Sequence, residues 1–232
     1  MTPLPTVLIP GLYATPRLFA AQLPALWRHG PVMVADHTRG ATFAEVAASV
    51  LAAAPPRFAL AGLSMGGALA YEIVRQAPER VERLAVLCGF GKPDDEATKE
   101  IRRAGIAQLR AGRLDEVVES SFPLLVHESR ANDHNLLAVM KDMMRDTGAE
   151  AAVNEVETYM NREDVGPSLP EIAVPALVLV GDSDRLVPPE HARATAAAIP
   201  GARFVEVPEC GHLCALERPE AVTDALVEWK TA

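Results

Sequence analysis

Phe58-Ala59-Leu60-Ala61-Gly62-Leu63-Ser64-Met65-Gly66-Gly67 joins an apolar run to a serine framed by glycines and then to an Ala-rich stretch. Phe58–Ala61 reads as a buried strand, and Ala68–Gln76, halted by Pro78, as a helix. Between them Gly62-Leu63-Ser64-Met65-Gly66 fits the pattern G-x-S-x-G. A turn that passes directly from strand to helix is so tight that its central residue takes a strained backbone conformation. Neighbours two positions away must then lack side chains to avoid collision. Such a turn pushes the Ser64 hydroxyl out at the carboxyl edge of a sheet, where open α/β sheets bind ligands. The Met65 amide, at the head of the following helix, is aimed where an oxyanion would develop.

The flanking sequence repeats the theme. Upstream, Val7-Leu8-Ile9 is a strand stopped by Pro10-Gly11, Pro16–Trp27 a helix, Val32–Ala35 a buried strand and Phe43–Ala53 a helix ended by Pro55-Pro56. Downstream, Leu84–Cys88 is one more strand. Continuous apolar strands separated by helices imply an α/β fold, with a mostly parallel, doubly wound sheet covered on both faces. From Lys92 strand signals vanish, and amphipathic stretches follow one another at Glu96–Leu109, Leu114–Glu119, Asn135–Arg145 and Glu150–Arg162. Four helices without an intervening strand cannot all be crossovers of one sheet. Residues 92–167 are therefore expected to form a helical cap inserted in a core made of 1–91 and 168–232. Leu136, Leu137, Met140, Met143 and Met144 supply its packing face. The core resumes with the strand Ala176–Val180, the helix Glu190–Ile199, the strand Arg203–Val207 and the helix Pro219–Trp229.

A chain of 232 residues can remove roughly 70–75% of its unfolded surface from water without a disulfide or metal staple. With 49% hydrophobic and 23% charged residues and a mean hydropathy of +0.10, it has an ordinary globular composition. Its 22 Lys and Arg against 31 Asp and Glu leave a formal charge of −9, a field that repels nucleic-acid phosphates and anionic lipid heads. No stretch approaches the length of a membrane span. Met1–Pro10 lacks a basic leader and reads as a loop entering a strand, not as a signal peptide. Three cysteines, Cys88, Cys210 and Cys214, are an odd number that fits a reducing compartment, so the expected location is cytoplasmic. Cys210 and Cys214 read as small apolar fillers, since no C-x-x-C pair accompanies them and no metal site is expected.

A serine hydroxyl needs a base. Five of the six histidines, at 29, 37, 127, 134 and 191, sit among polar neighbours and read as solvated surface residues. His212 differs, lying in Cys210-Gly211-His212-Leu213 just after the last strand and its Pro208-Glu209 turn. A carboxylate should orient its ring. Gly181-Asp182-Ser183-Asp184-Arg185-Leu186-Val187-Pro188 follows a buried strand and offers two. Asp184 is favoured because Leu186-Val187 can bury it, while Asp182 is placed to brace the turn. The order Ser64, Asp, His212 suits this type of fold.

Through Ile9-Pro10-Gly11-Leu12, Gly62–Gly67, Gly181–Pro188 and Gly211-His212 leading into Glu217-Arg218-Pro219-Glu220, the chain resembles α/β-hydrolases of the serine esterase and lactonase kind with a helical cap. The resemblance spans nearly the whole sequence. It implies a Ser64–His212–Asp184 triad, an oxyanion hole from the Met65 and Leu12 amides, and no cofactor. Many relatives carry His-Gly where this chain has Pro10-Gly11; the amide donor survives that change, but the hydrogen bonds by which a histidine organises the loop do not. Tyr13, Phe90 and Leu186 are expected to line the substrate pocket. The expected reaction is hydrolysis of a small carboxylic ester, lactone or thioester through an acyl-enzyme, by a monomer or homodimer whose partner is a small-molecule acyl substrate. Two alternatives use the same fold: a carbon–carbon bond hydrolase or acid-eliminating lyase, and a ligand-binding receptor with an idle triad. In the first, one of Arg17, Arg39, Arg102, Arg103 or Arg185 would meet a substrate carboxylate.

Overall fold

The computed structural model describes residues 3–232; Met1 and Thr2 of the expected amino-terminal loop lie outside them. In chain order come β1 (Thr6–Ile9), a 3-10 turn (Pro16–Phe19), α1 (Leu23–Trp27), β2 (Val32–Val34), α2 (Phe43–Ala53), β3 (Phe58–Leu63), α3 (Met65–Gln76) and β4 (Val81–Leu87). Four helices follow, α4 (Glu96–Arg110), α5 (Leu114–Leu125), α6 (His134–Thr147) and α7 (Ala149–Met160). Then come β5 (Ala176–Gly181), α8 (Pro189–Ala198), β6 (Arg203–Val207), α9 (Cys214–Glu217) and α10 (Pro219–Thr231).

The strands form one sheet in the order β2-β1-β3-β4-β5-β6, parallel at every pairing. β1, β3 and β5 are buried along their whole length, while the edge strands β2 and β6 are only partly covered. This is why the central strands read as unbroken apolar runs: a parallel sheet has helices on both faces. The chain leaves β1 for β2 on one side and returns for β3 on the other. The carboxyl ends of β1 and β3 therefore flank the point where winding reverses, which opens a crevice there. No strand interrupts α4–α7 between β4 and β5. Leu136, Met140, Met143 and Met144 are buried, as their spacing on α6 predicts. Among the described residues no helix is long and apolar enough to cross a membrane.

Three elements depart from the sequence pattern. The helix expected over Pro16–Trp27 is split into the 3-10 turn and α1. Pro24 has no N–H to donate and its ring crowds the preceding turn, so it starts a new helix instead of continuing one. α5 runs on past Glu119 through Pro123 to Leu125. Burial of Val117, Val118 and Phe122 outweighs the proline, and the Ser121 hydroxyl donates to the Val117 and Val118 carbonyls as the helix approaches it. α3 starts at Met65, ahead of the expected Ala68, because the glycines after Ser64 are required by lack of room and not by flexibility.

That lack of room is severe. A Cβ on Gly62 would lie 2.1 Å from the Gly66 carbonyl oxygen, and one on Gly66 would lie 2.2 Å from that of Ile9. Gly66→Ala should therefore cost more than about 4 kcal/mol, the range of severe core damage, and show as loss of soluble protein or a collapsed melting temperature. Gly105 in α4 has open space around its α-carbon, so Gly105→Ala should raise stability by up to about 1 kcal/mol. Thermal unfolding of the two variants beside wild type checks both.

Candidate active site

Ser64 caps α3 with φ 58° and ψ −119°, the strained conformation the sequence pattern requires. Its N–H donates to the Leu87 carbonyl at the end of β4, and its carbonyl accepts from Gly67 and Ala68, so backbone bonds on both sides hold the turn. Ser64 Oγ stands 2.7 Å from His212 Nε2, and His212 Nδ1 stands 2.8 Å from Asp184 Oδ2. The serine follows β3, the carboxylate follows β5 and the imidazole follows β6, so three loops at one edge of the sheet converge.

Asp184 is buried, and its other oxygen accepts from the Leu186 and Val187 amides at 2.9 Å each. Burial alone would raise its pKa. The charge and hydrogen bond of His212, with the two amides, outweigh burial and hold the carboxyl below its ordinary 3.8. Asp182 does the bracing work expected of it, accepting from the Glu209 and Cys210 amides at 2.9 and 3.1 Å and tying the β5 loop to the loop of His212. With Asp184 ionised and accepting, Nδ1 carries the proton and Nε2 is free to take another from the serine.

The loop of His212 is pinned from two sides. The His212 and Leu213 amides both donate to the Leu125 carbonyl at the end of α5. Glu217 accepts from the Gly211 and His127 amides at 3.0 and 2.7 Å. In sequence Glu217 stands out only as the first residue of Glu217-Arg218-Pro219-Glu220, whereas 2% exposure marks its carboxylate as structural. Cys88, at φ 48°, brings its thiol beside the pair, with the donor atoms of Cys88, Asp184 and His212 within 4.8 Å of one another. Burial pushes the Cys88 thiol well up, so it stays protonated. All three cysteines are free and buried.

Across the crevice, the loop after β1 makes a tight turn in which the Ala14 amide donates to the Gly11 carbonyl at 3.2 Å and Tyr13 has φ 62°. A Cβ on Gly11 would meet Ser64 Cβ at 3.1 Å, so the turn lies directly against the serine. The Leu12 amide within it donates to no protein acceptor among the described residues. Met65 is buried, and its amide, the first of α3, has no partner inside the helix.

A cavity of about 470 Å³ opens on Ser64 and His212. Leu12, Tyr13 and Leu186 line it, together with apolar residues of α5, α6 and α7 such as Val117, Val118, Met140 and Val156. Phe90 does not line it, and stacks instead on His191 with ring centroids 5.4 Å apart. Of the five arginines considered, Arg102 alone is on the wall, where Asp94 holds its guanidinium. Asp94 also takes Arg162 at 3.0 Å, and its side chain is only 6% exposed. His37 is a second correction: it is 3% exposed, not a surface residue, and pairs with Glu155 of α7. Nothing in the local sequence marks the pair, because their contact bridges elements more than a hundred residues apart.

The profile of the Alpha/beta hydrolase family matches residues 6–225. The chain belongs to the α/β-hydrolase family. This hydrolase superposes on a thermophilic esterase from Thermogutta terrifontis with a TM-score of 0.88 and 30% identity, covering 98% of this chain and 89% of that one. The enol-lactonase from Burkholderia xenovorans LB400 gives a TM-score of 0.89 at 25% identity, covering 100% and 93%. A pimeloyl-[acyl-carrier protein] methyl ester esterase of Pectobacterium carotovorum is 28% identical over 199 residues, 82% of this chain and 77% of that relative.

The bracing by Asp182 carries a pH signature. Burial raises its pKa, but the Cys210 and Glu209 amides, the Ser183 hydroxyl and the nearby His127 together hold it below 3.8. A depressed carboxyl pKa contributes stability that is present above the unfolded value and lost as pH falls through the folded one. The deficit of Asp182→Asn relative to wild type in urea unfolding should therefore be widest above about pH 4 and close on acidification.

Proposed function

We propose that Ser64, His212 and Asp184 are a catalytic triad by which this hydrolase cleaves a small carboxylic ester, lactone or thioester. The observation that carries the reading is the unbroken Ser64–His212–Asp184 hydrogen-bond chain, 2.7 and 2.8 Å, at the floor of an apolar cavity. His212 Nε2 takes the proton as Ser64 Oγ attacks the carbonyl carbon. The Leu12 and Met65 amides hold the tetrahedral oxyanion, each donor being worth about 3–4 kcal/mol in such sites. The imidazolium, oriented by Asp184, returns its proton to the leaving alcohol or thiol. Water, deprotonated in turn by His212, then releases the acid and restores Ser64. Residues 92–167 act in this scheme as a cap over the core of 1–91 and 168–232, and supply most of the acyl-facing wall.

Cavity chemistry supports an uncharged acyl group. Ile101, Leu124 and Leu186 carry the apolar surface out to the rim, at 74%, 49% and 50% exposure. A substrate carboxylate would have to displace Asp94 from Arg102, which argues against diketo acids and for plain esters. The esterase and lactonase relatives point the same way. Free buried cysteines suit a reducing compartment, so we assign the enzyme to the cytoplasm.

A small fluorophosphonate should add one adduct to wild type by intact mass and none to Ser64→Ala, which should unfold normally. An adduct retained by Ser64→Ala would refute the nucleophile. Asp184→Asn should lower kcat by about 10³–10⁴-fold through the wrong imidazole tautomer, and Asp182→Asn far less; the reverse order would exchange their roles. With p-nitrophenyl esters, kcat/KM should rise about fourfold per added methylene, as about 0.8 kcal/mol of apolar burial each predicts, until the cavity is filled. It should then fall for long chains. Faster turnover of vinylogous diketo acids than of any ester would favour the carbon–carbon reading, and tight binding without turnover a receptor.

A further inference from the structure

The turn that presents the Leu12 amide is gripped by two buried side chains from outside it, an imidazole and a carboxylate. His37 follows β2, and Glu155 lies on α7 of the inserted helices; they are 3% and 0% exposed. His37 Nε2 is 3.2 Å from the Gly11 carbonyl oxygen and 3.2 Å from Glu155 Oε1. Glu155 Oε2 accepts from the Tyr13 amide at 2.7 Å. The Gly11 carbonyl and the Leu12 N–H belong to one peptide unit, which is planar and trans, so they point in opposite directions. Holding the oxygen fixes the direction of the N–H. The Tyr13 amide belongs to the next unit, so both peptide planes flanking Leu12 are clamped.

We propose that Glu155 and His37 are positioning residues that aim the Leu12 amide at the oxyanion, and that Glu155 thereby makes the oxyanion hole depend on the inserted helices. This rests on the assignment of Leu12 as an oxyanion donor given above. The pair replaces the loop-organising histidine that Pro10 displaces, with one donor and one acceptor brought from elsewhere in the fold.

The electrostatics agree. Nε2 faces two acceptors, so it carries a proton. Burial alone would lower the His37 pKa, but the Glu155 carboxylate beside it, with the nearby Gly11 and Ala35 carbonyls, outweighs burial and raises the pKa above 6.5. A bare buried carboxylate beside an oxyanion would oppose the reaction, and a proton held on His37 Nε2 toward it offsets that charge. A donor on the Gly11 oxygen also polarises that amide and strengthens its own N–H as a donor.

The test compares Glu155→Ala, Glu155→Gln and Asn154→Ala on a short p-nitrophenyl ester, with phosphonylation rates and melting temperatures alongside. Asn154 is the neighbouring α7 residue and docks the same helix on the core through the Thr38 and Gly40 carbonyls, both at 3.0 Å, without touching the turn. Glu155→Ala should lose on the order of 10–100-fold in kcat, with KM little changed, because a misaimed donor forfeits part of what a deleted one costs. Phosphonylation should slow in parallel. Glu155→Gln keeps an acceptor for Tyr13 but turns a donor toward His37, so it should fall between, and it decides the matter if Glu155→Ala does not fold. Asn154→Ala should retain kcat within about threefold, well short of the loss of a donor. Wild-type kcat in a folded Glu155→Ala, or an equal loss in Asn154→Ala, would overturn the proposal. If Glu155→Ala does not fold, wild-type kcat in Glu155→Gln would do so. Absence of Ser64-dependent phosphonylation in wild type would instead refute the underlying triad.

Discussion

The turn at Ser64 is the constraint on which the rest of the site depends. Its backbone sits in the left-handed half of conformational space, with ψ where side chains are poorly tolerated. It is held there because α3 is driven against β1 with no space between: a Cβ on Gly66 would lie 2.2 and 2.4 Å from the Ile9 and Pro10 carbonyl oxygens. The same contact aligns the carboxyl end of β1 with the head of α3. The turn at Gly11 is thus brought against Ser64 by the packing that strains the serine. A parallel sheet does the remainder, since every strand ends at the same edge and the β5 and β6 loops arrive there without further design.

Loops that build such a site have amides that no strand or helix satisfies, and buried amides must be satisfied. Here carboxylates do it. Asp184 takes the amides of Leu186 and Val187, Asp182 those of Glu209 and Cys210, Glu217 those of Gly211 and His127, and Glu155 that of Tyr13. Each holds a loop in one conformation while keeping it irregular. For Asp182, Asp184 and Glu217 burial opposes the charge while the amides favour it. Asp182 and Asp184 are held below their ordinary range, whereas burial prevails for Glu217 and raises it.

The inserted helices do two different jobs. Val117, Val118, Met140 and Val156 contribute to the apolar wall of the cavity. The Leu125 carbonyl and Glu155 instead reach the loops of His212 and Leu12. The cavity wall and the contacts that hold the loops of His212 and Leu12 are therefore built from the same segment. A change that repacks α5 or α7 acts on both.

The sequence by itself determined the α/β class and the parallel sheet, and it marked the run of helices between β4 and β5 and the residues Ser64, Asp184 and His212 that the fold joins by hydrogen bonds, because each is encoded locally. Unbroken apolar runs mark strands covered on both faces, and glycines at 62 and 66 mark a turn with no room for side chains. Asp184 was separable from Asp182 since the apolar pair that buries it follows in the chain. Local patterns also misled. Pro24 split a helix that apolar spacing ran together, and packing carried α5 through Pro123. Only the tertiary structure decided that His37 is buried, that Glu155 meets it, that Arg102 alone of the candidate arginines reaches the cavity, and that Phe90 turns away to His191. The physical reason is common to all four. Burial and pairing of these side chains are set by contacts between distant segments, and no periodicity within a segment records what will be packed against it.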